Sequence, residues 1–162
     1  MRRTREATAG PGRPRPAVDS RAAVLAWLAR RQDYERTPPR GDPRAVFGLA
    51  RVRRLLAAVG SPHERLRVAH VAGTKGKGST VAMLAEILAA AGHRVGRYTS
   101  PHVRRLEERI CVDGRPIGPR DLVAAFAPVI PAVEALDRAA AIRGGRGPTW
   151  FEVVTAAAFV HF

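Results

Sequence analysis

The chain has 162 residues, 46% of them hydrophobic and 26% charged, enough for one domain with a real core. No apolar run reaches the roughly 18 residues a membrane-spanning helix needs, and the N-terminus lacks the apolar centre of a secretory signal, so no membrane partner and a cytoplasmic location are expected. The net charge is +14. Such a field attracts polyanions, but the arginines are spread along the chain without interleaved aromatic rings, and a solvated basic surface is expected rather than a specific nucleic-acid site. Cys111, the single cysteine, has no disulfide partner and no Cys or His at metal-ligand spacing, so it is expected to be a small core or half-buried residue in a reducing compartment.

Residues 1–19 are rich in Arg, Pro and Gly with little to bury and are expected to be a disordered tail, with an Arg-rich organellar presequence as the alternative. Ser20 is placed to cap a first helix running to about residue 31, with Val24, Leu25, Trp27 and Leu28 on its apolar side. Residues 36–43 are expected to form a loop. A second helix is predicted over 44–59, with Val52, Leu55, Leu56 and Val59 at helical spacing and Gly60 and Pro62 ending it.

Residues 66–72 then read as a strand, 73–78 as a glycine loop and 79–91 as an apolar helix closed by Gly92. A second strand is predicted over 94–99, and 110–117 around Asp113-Gly114 as a hairpin. The long helix beginning near Pro119 carries Leu122, Phe126, Val129, Val133 and Leu136 on its buried face, and Pro128 and Pro131 are expected to kink or split it. Gly144 to Pro148 break the chain before a final apolar helix over 150–162. Strand, loop and helix order implies an α/β fold with a parallel sheet, and two or three strands leave that sheet incomplete, as in a fragment of a larger domain spanning 20–162.

The strongest chemical signal is VAGTKGKGST, residues 71–80. Its glycines let backbone N–H groups surround phosphate oxygens, the helix behind offers its positive end, and Lys77 is a compact charge for the outer phosphates. Ser79 or Thr80 is placed to reach a magnesium ion. Against G-x-x-x-x-G-K-[ST] the match is imperfect: Val71 occupies the first glycine position and Gly78 follows the lysine. A turn that merely joins strand to helix would not explain why the only two lysines, Lys75 and Lys77, sit here in a chain otherwise wholly Arg. The second constellation, RYTSPHVRRLEERI over 97–110, follows the next strand, where loops of an open parallel sheet face the same crevice. Ser100 offers a hydroxyl to a cation, and His102 and Arg109 are candidates to meet anionic groups. Taken alone, Thr-Ser-Pro is a common turn and the charges around it an ordinary surface.

Together, VAGTKGKGST, YTSPH, ERI-x-V-x-G-x-PI and PTWFEVVTAAAFVHF resemble the folylpolyglutamate synthase and dihydrofolate synthase family, a branch of the Mur ligase superfamily, from about residue 25 to 162. Gly48, Leu49, Arg51 and Val52 add to the match. The resemblance implies a Mur-ligase-type P-loop domain in an ATP-dependent ligase that phosphorylates a folate carboxylate and lets L-glutamate displace phosphate. It implies that Gly73, Thr74, Lys75, Gly76, Lys77, Gly78, Ser79 and Thr80 hold ATP and that Lys77 stabilises the transferring phosphoryl group. Ser100 and Ser79 would bind Mg2+, and Thr149, Phe151 and His102 would contact the folate. For Thr149 a helix cap and for Phe151 core packing are equally good readings, and Glu152 is open to a structural one. Lys75 stands where the family usually has Asn, and Leu106-Glu107 replaces Phe-Asn. The family's second signature, a strand ending in Glu before a Gly-rich loop, would follow residue 162. A magnesium-binding His, a carbamylated Lys and the glutamate-binding domain would follow it too, so the chain alone is expected to be inactive and the longer protein monomeric. The rival readings are a Mur-type cell-wall ligase, which the Ser-Pro loop opposes, and a stand-alone nucleotide-binding or basic nucleic-acid-binding module.

Overall fold

The computed structural model describes residues 18–39 and 47–162. The expected tail therefore lies almost wholly outside the described residues, as does the start of the second predicted helix. Ser20 caps α1 (Arg21–Leu28), its Oγ accepting from the Ala23 N–H at 3.2 Å, and α1 buries Val24, Trp27 and Leu28. Helix α2 (Ala50–Ala58) buries Leu55 and Leu56. Left-handed Gly60 and Ser61 end it and lead into a 3-10 turn over Pro62–Arg65.

Residues 66–72 are extended at their start but belong to no ladder, which corrects the strand expected there. Leu66, Val68 and Val71 favour extended backbone, but a strand exists only when a neighbour takes its N–H and C=O groups, and none of the described segments does. The sheet among the described residues is antiparallel, not parallel: β1 (Gly96–Tyr98), β2 (Ile110–Val112) and β3 (Arg115–Pro116) form a meander in that order. The two-residue turn at Asp113 and Gly114, with φ of 48° and 74°, is the hairpin expected from the sequence. Pro116 is tolerated because β3 is an edge strand and needs no N–H on its outer side.

Helix α3 (Lys77–Ala90) begins at the lysine, two residues earlier than expected, because Gly76 at φ 76° turns the chain straight into it. The predicted long helix is split into α4 (Pro119–Phe126) and α5 (Val129–Ile142). Pro128 sits at the break. Pro131 falls in the first turn of α5, where its missing N–H would have had no intrahelical partner. Helix α6 (Trp150–His161) crosses the centre and touches α2, α4 and α5. Its Ala156, Ala157 and Ala158 are buried, so neighbouring backbones approach closely, and Leu28, Leu55, Leu122 and Phe126 fill the space around it. Each such side chain contributes about 1.5–3 kcal/mol by leaving water. Cys111 is buried, as expected. The core is therefore helical, while α3 buries no residue and leaves Met83 and Ile87 60% and 65% exposed.

Candidate functional site

The glycine loop is solvent-exposed and is organised by its own lysine. Lys77 Nζ donates to the carbonyls of Gly73 at 2.7 Å and Thr74 at 3.4 Å, folding over the loop that an anion would enter. Thr80 Oγ1 donates to the Gly76 carbonyl at 3.0 Å. That bond ties Thr80 to the helix backbone, while the hydroxyls of Thr74 and Ser79 make no side-chain hydrogen bond among the described residues. Magnesium takes oxygen ligands and keeps waters and phosphate oxygens in most of its positions, so the neutral hydroxyls of Ser79 and Ser100 fit it as partial ligands. No group of three or more His, Cys, Asp or Glu able to hold a metal occurs among the described residues.

The second loop leaves the C-terminal end of β1. The Thr99 N–H donates to the Arg109 carbonyl at 3.0 Å, which prolongs the β1–β2 pairing, and the Ser100–Pro101 bond is cis. Beyond it, the Glu108 carboxylate accepts from the backbone N–H groups of Val103, Arg104 and Arg105 at 2.8, 3.2 and 3.0 Å. Those donors hold its carboxyl below the usual range, the Val103 N–H contributing most. The departure from the family pattern at 106–107 has a physical account here. Leu106 is buried in the core, and Glu107 pairs with Arg21 of α1, whose side-chain hydrogen bond holds the Glu107 carboxyl down.

Arg109 is paired within the fold. Its side chain is 2% exposed, both terminal nitrogens donate to the Glu35 carboxylate, one of them at 3.1 Å, and Nε donates to His102 Nδ1 at 2.7 Å. The guanidinium also lies 4.7 Å from the centre of the Trp150 ring, an attractive cation–π geometry. His102 itself is half-buried, its ring 6.2 Å from that of Trp150.

Thr149 and Trp150 begin α6. The Thr149 hydroxyl accepts from the Glu152 N–H at 3.3 Å while the Glu152 carboxylate accepts from the Thr149 N–H at 2.7 Å and from Arg51 at 3.2 Å. This is a reciprocal capping box, so the hydroxyl of Thr149 is engaged by its own helix. Phe151 is 40% exposed and lies 6.1 Å from the ring of Tyr98, whose hydroxyl is 3.2 Å from Thr155 Oγ1. Burial pushes the Tyr98 phenol up. His102, Phe151 and Thr149 thus gather where β1 ends and α6 begins, whereas the hydrogen bonds of residues 73–80 stay within the glycine loop and α3. Trp150 and Tyr98 join the cluster although the sequence reading did not single them out. Both stand inside the motifs that carried the resemblance, while Glu35, 74 positions from Arg109, left no local signal.

A glycine loop that opens α3 and a Ser-Pro-His loop at the end of β1 belong here to an α/β protein. No family model matches the chain. It is 45% identical over 115 residues to the dihydrofolate synthase/folylpolyglutamate synthase of Bacillus subtilis, covering 71% of this chain and 26% of that protein. Among solved structures, the folylpolyglutamate synthase of Mycobacterium tuberculosis complexed with ADP superposes with a TM-score of 0.72 at 34% identity, over 86% of this chain and 28% of that one. An FPGS–AMPPCP–folate complex also gives 0.72, at 35% identity, over 88% and 32% of the two chains. The chain belongs to the folylpolyglutamate synthase and dihydrofolate synthase family and spans about a quarter of the length of the B. subtilis relative.

Proposed function

We propose that this chain is the ATP-gripping part of an acid–amino-acid ligase that adds L-glutamate to a folate, as a tetrahydrofolylpolyglutamate synthase does. The observation that carries the reading is Lys77, one of two lysines in the chain, folded over the carbonyls of a glycine loop that opens a 14-residue helix. The relatives add support: one solved neighbour is complexed with ADP, and another with AMPPCP and folate.

In this reading the backbone of residues 73–79 and the N-terminus of α3 cradle the triphosphate. Lys77 leaves its carbonyl partners to follow the charge on the γ-phosphoryl group as that group passes to an oxygen of the folate carboxylate and ADP departs. The glutamate amine then attacks the acyl carbon, phosphate leaves with the C–O bond electrons, and the nitrogen loses its proton to complete the amide. Mg2+, held in part by Ser79 and Ser100, would supply charge neutralisation at the phosphates. Lys75, Thr74 and Thr80 line the same loop, and His102 and Phe151 face the folate, with Thr149 shaping its edge. The same reading makes the longer protein a cytoplasmic monomer without specific affinity for nucleic acid, and the chain by itself inactive.

Lys77→Ala is expected to weaken MgATP binding by roughly 100-fold, followed by calorimetry; unchanged affinity would reduce the loop to a structural turn. Ligation is tested on a protein that joins this chain to the remaining length of its relatives. There, ADP release is expected to require both a folate and L-glutamate. Release indifferent to either removes the ligase assignment.

A further inference from the structure

His102 and Arg109 raise a question that the proposed ligation leaves open: why a buried guanidinium spends its Nε–H on a half-buried imidazole. Arginine has only donors, so whatever it bonds must accept, and a ring nitrogen carrying a proton has no lone pair to offer. With Nε and Nδ1 2.7 Å apart, the Nδ1 atom of His102 is unprotonated. The neutral ring then carries its proton on Nε2, which makes no hydrogen bond among the described residues. A buried arginine is tolerable only when its charge is matched, and Glu35 matches it with two bonds from the terminal nitrogens. The Trp150 ring limits the guanidinium from a third side. Little freedom is left to Arg109, and so little is left to the ring it holds.

We infer that Arg109, clamped by Glu35, is a positioning residue that fixes His102 as the Nε2–H tautomer and so presents an N–H donor at the end of β1. Resting on the folate reading above, the acceptor this donor would meet is a carbonyl oxygen or ring nitrogen of the substrate. The other neutral tautomer of His102 would offer a bare lone pair there and repel the same acceptor, and a flipped ring would replace the N–H by a C–H. Glu35 reaches this site from the loop after α1, so the tautomer of a residue in one loop is set by a carboxylate in another.

The test is nitrogen-15 NMR of the histidine rings in the full chain, with the His102 signals identified by their loss in His102→Gln. The expected wild-type pattern is a pyridine-type Nδ1 and a pyrrole-type Nε2. Glu35→Gln, which loosens the clamp without emptying the core, and Arg109→Lys, which lacks the fork, are each expected to shift the tautomer ratio by up to about tenfold, the worth of one hydrogen bond. Circular dichroism confirms that each variant is folded, and Glu35→Gln alone decides if Arg109→Lys is not. A wild-type ring protonated on Nδ1, or a ratio unmoved in the folded variants, overturns the inference. The folate reading fails separately: adding folic acid and MgATP would then leave the His102 signals in place while the tautomer still depends on Glu35.

Discussion

At Gly96 a Cβ atom would come within 2.6 Å of the Phe162 ring just beyond α6, so any side chain there forces that ring or the strand to shift. Gly96→Ala is expected to lower stability by about 1–3 kcal/mol, the usual cost of overpacking, read as a fall in the denaturation midpoint. Glu107 works by charge instead of shape. Its carboxyl is held down by Arg21, so the native state binds fewer protons than the unfolded chain as pH falls through the carboxylate range. The stability that pair supplies is therefore complete above the unfolded value of about 4.3 and is lost as pH drops through the lower folded value. Denaturant titrations between pH 7 and pH 3 should show that loss, and Glu107→Gln should flatten it. Glu108 shifts in the same direction for a different cause, its backbone donors, and adds to the same acid-side slope.

Among the elements, α6 is the one whose start is built most completely. Thr149→Ala removes the hydroxyl that accepts from Glu152 and is expected to cost about 1 kcal/mol, with Thr149→Ser recovering most of it. Thermal melts of the three proteins check this. A loss of folate affinity in the serine variant would show that the methyl group of Thr149 matters to the site beyond its capping. The helices and the hairpin were legible because their signals are local: Ser20 at the start of α1, the Asp113-Gly114 turn and the Pro128 break all act within a few residues. Residues 66–72 were not, since their apolar pattern shows a preference for extended backbone and says nothing of which segment would pair with it. The direction of the sheet was misjudged for the same reason: strand, loop and helix order favours parallel pairing, but β1 finds its neighbour in the hairpin that follows.

Across the whole molecule, the helical core and the glycine-loop helix differ in how they are covered. Val24, Leu55, Phe126 and Val153 are fully buried, while Met83, Ile87 and Val68 stand about 60% exposed. Ile87→Glu is therefore expected to change stability by less than about 0.5 kcal/mol and to reduce binding of an apolar dye and light scattering at high concentration. A large loss of stability would mean that α3 is packed more tightly than its exposure indicates. Among the described residues no helix is long and apolar enough to cross a membrane. The net charge of +14 is carried by arginines spread over the chain, several of them in ion pairs: Arg21 with Glu107, Arg31 with Asp137, Arg51 with Glu152, Arg109 with Glu35. The sequence by itself determined the helices, the hairpin, the glycine loop with its lysine and the family, because each is written in residues close together along the chain. Only the tertiary structure decided that the described sheet is antiparallel, that Arg109 pairs with Glu35, and that His102 is held by its Nδ1. Glu35 lies 74 positions from Arg109, and even the nearer partners, Arg109 for His102 and β2 for β1, are chosen by packing and charge matching that no local pattern encodes.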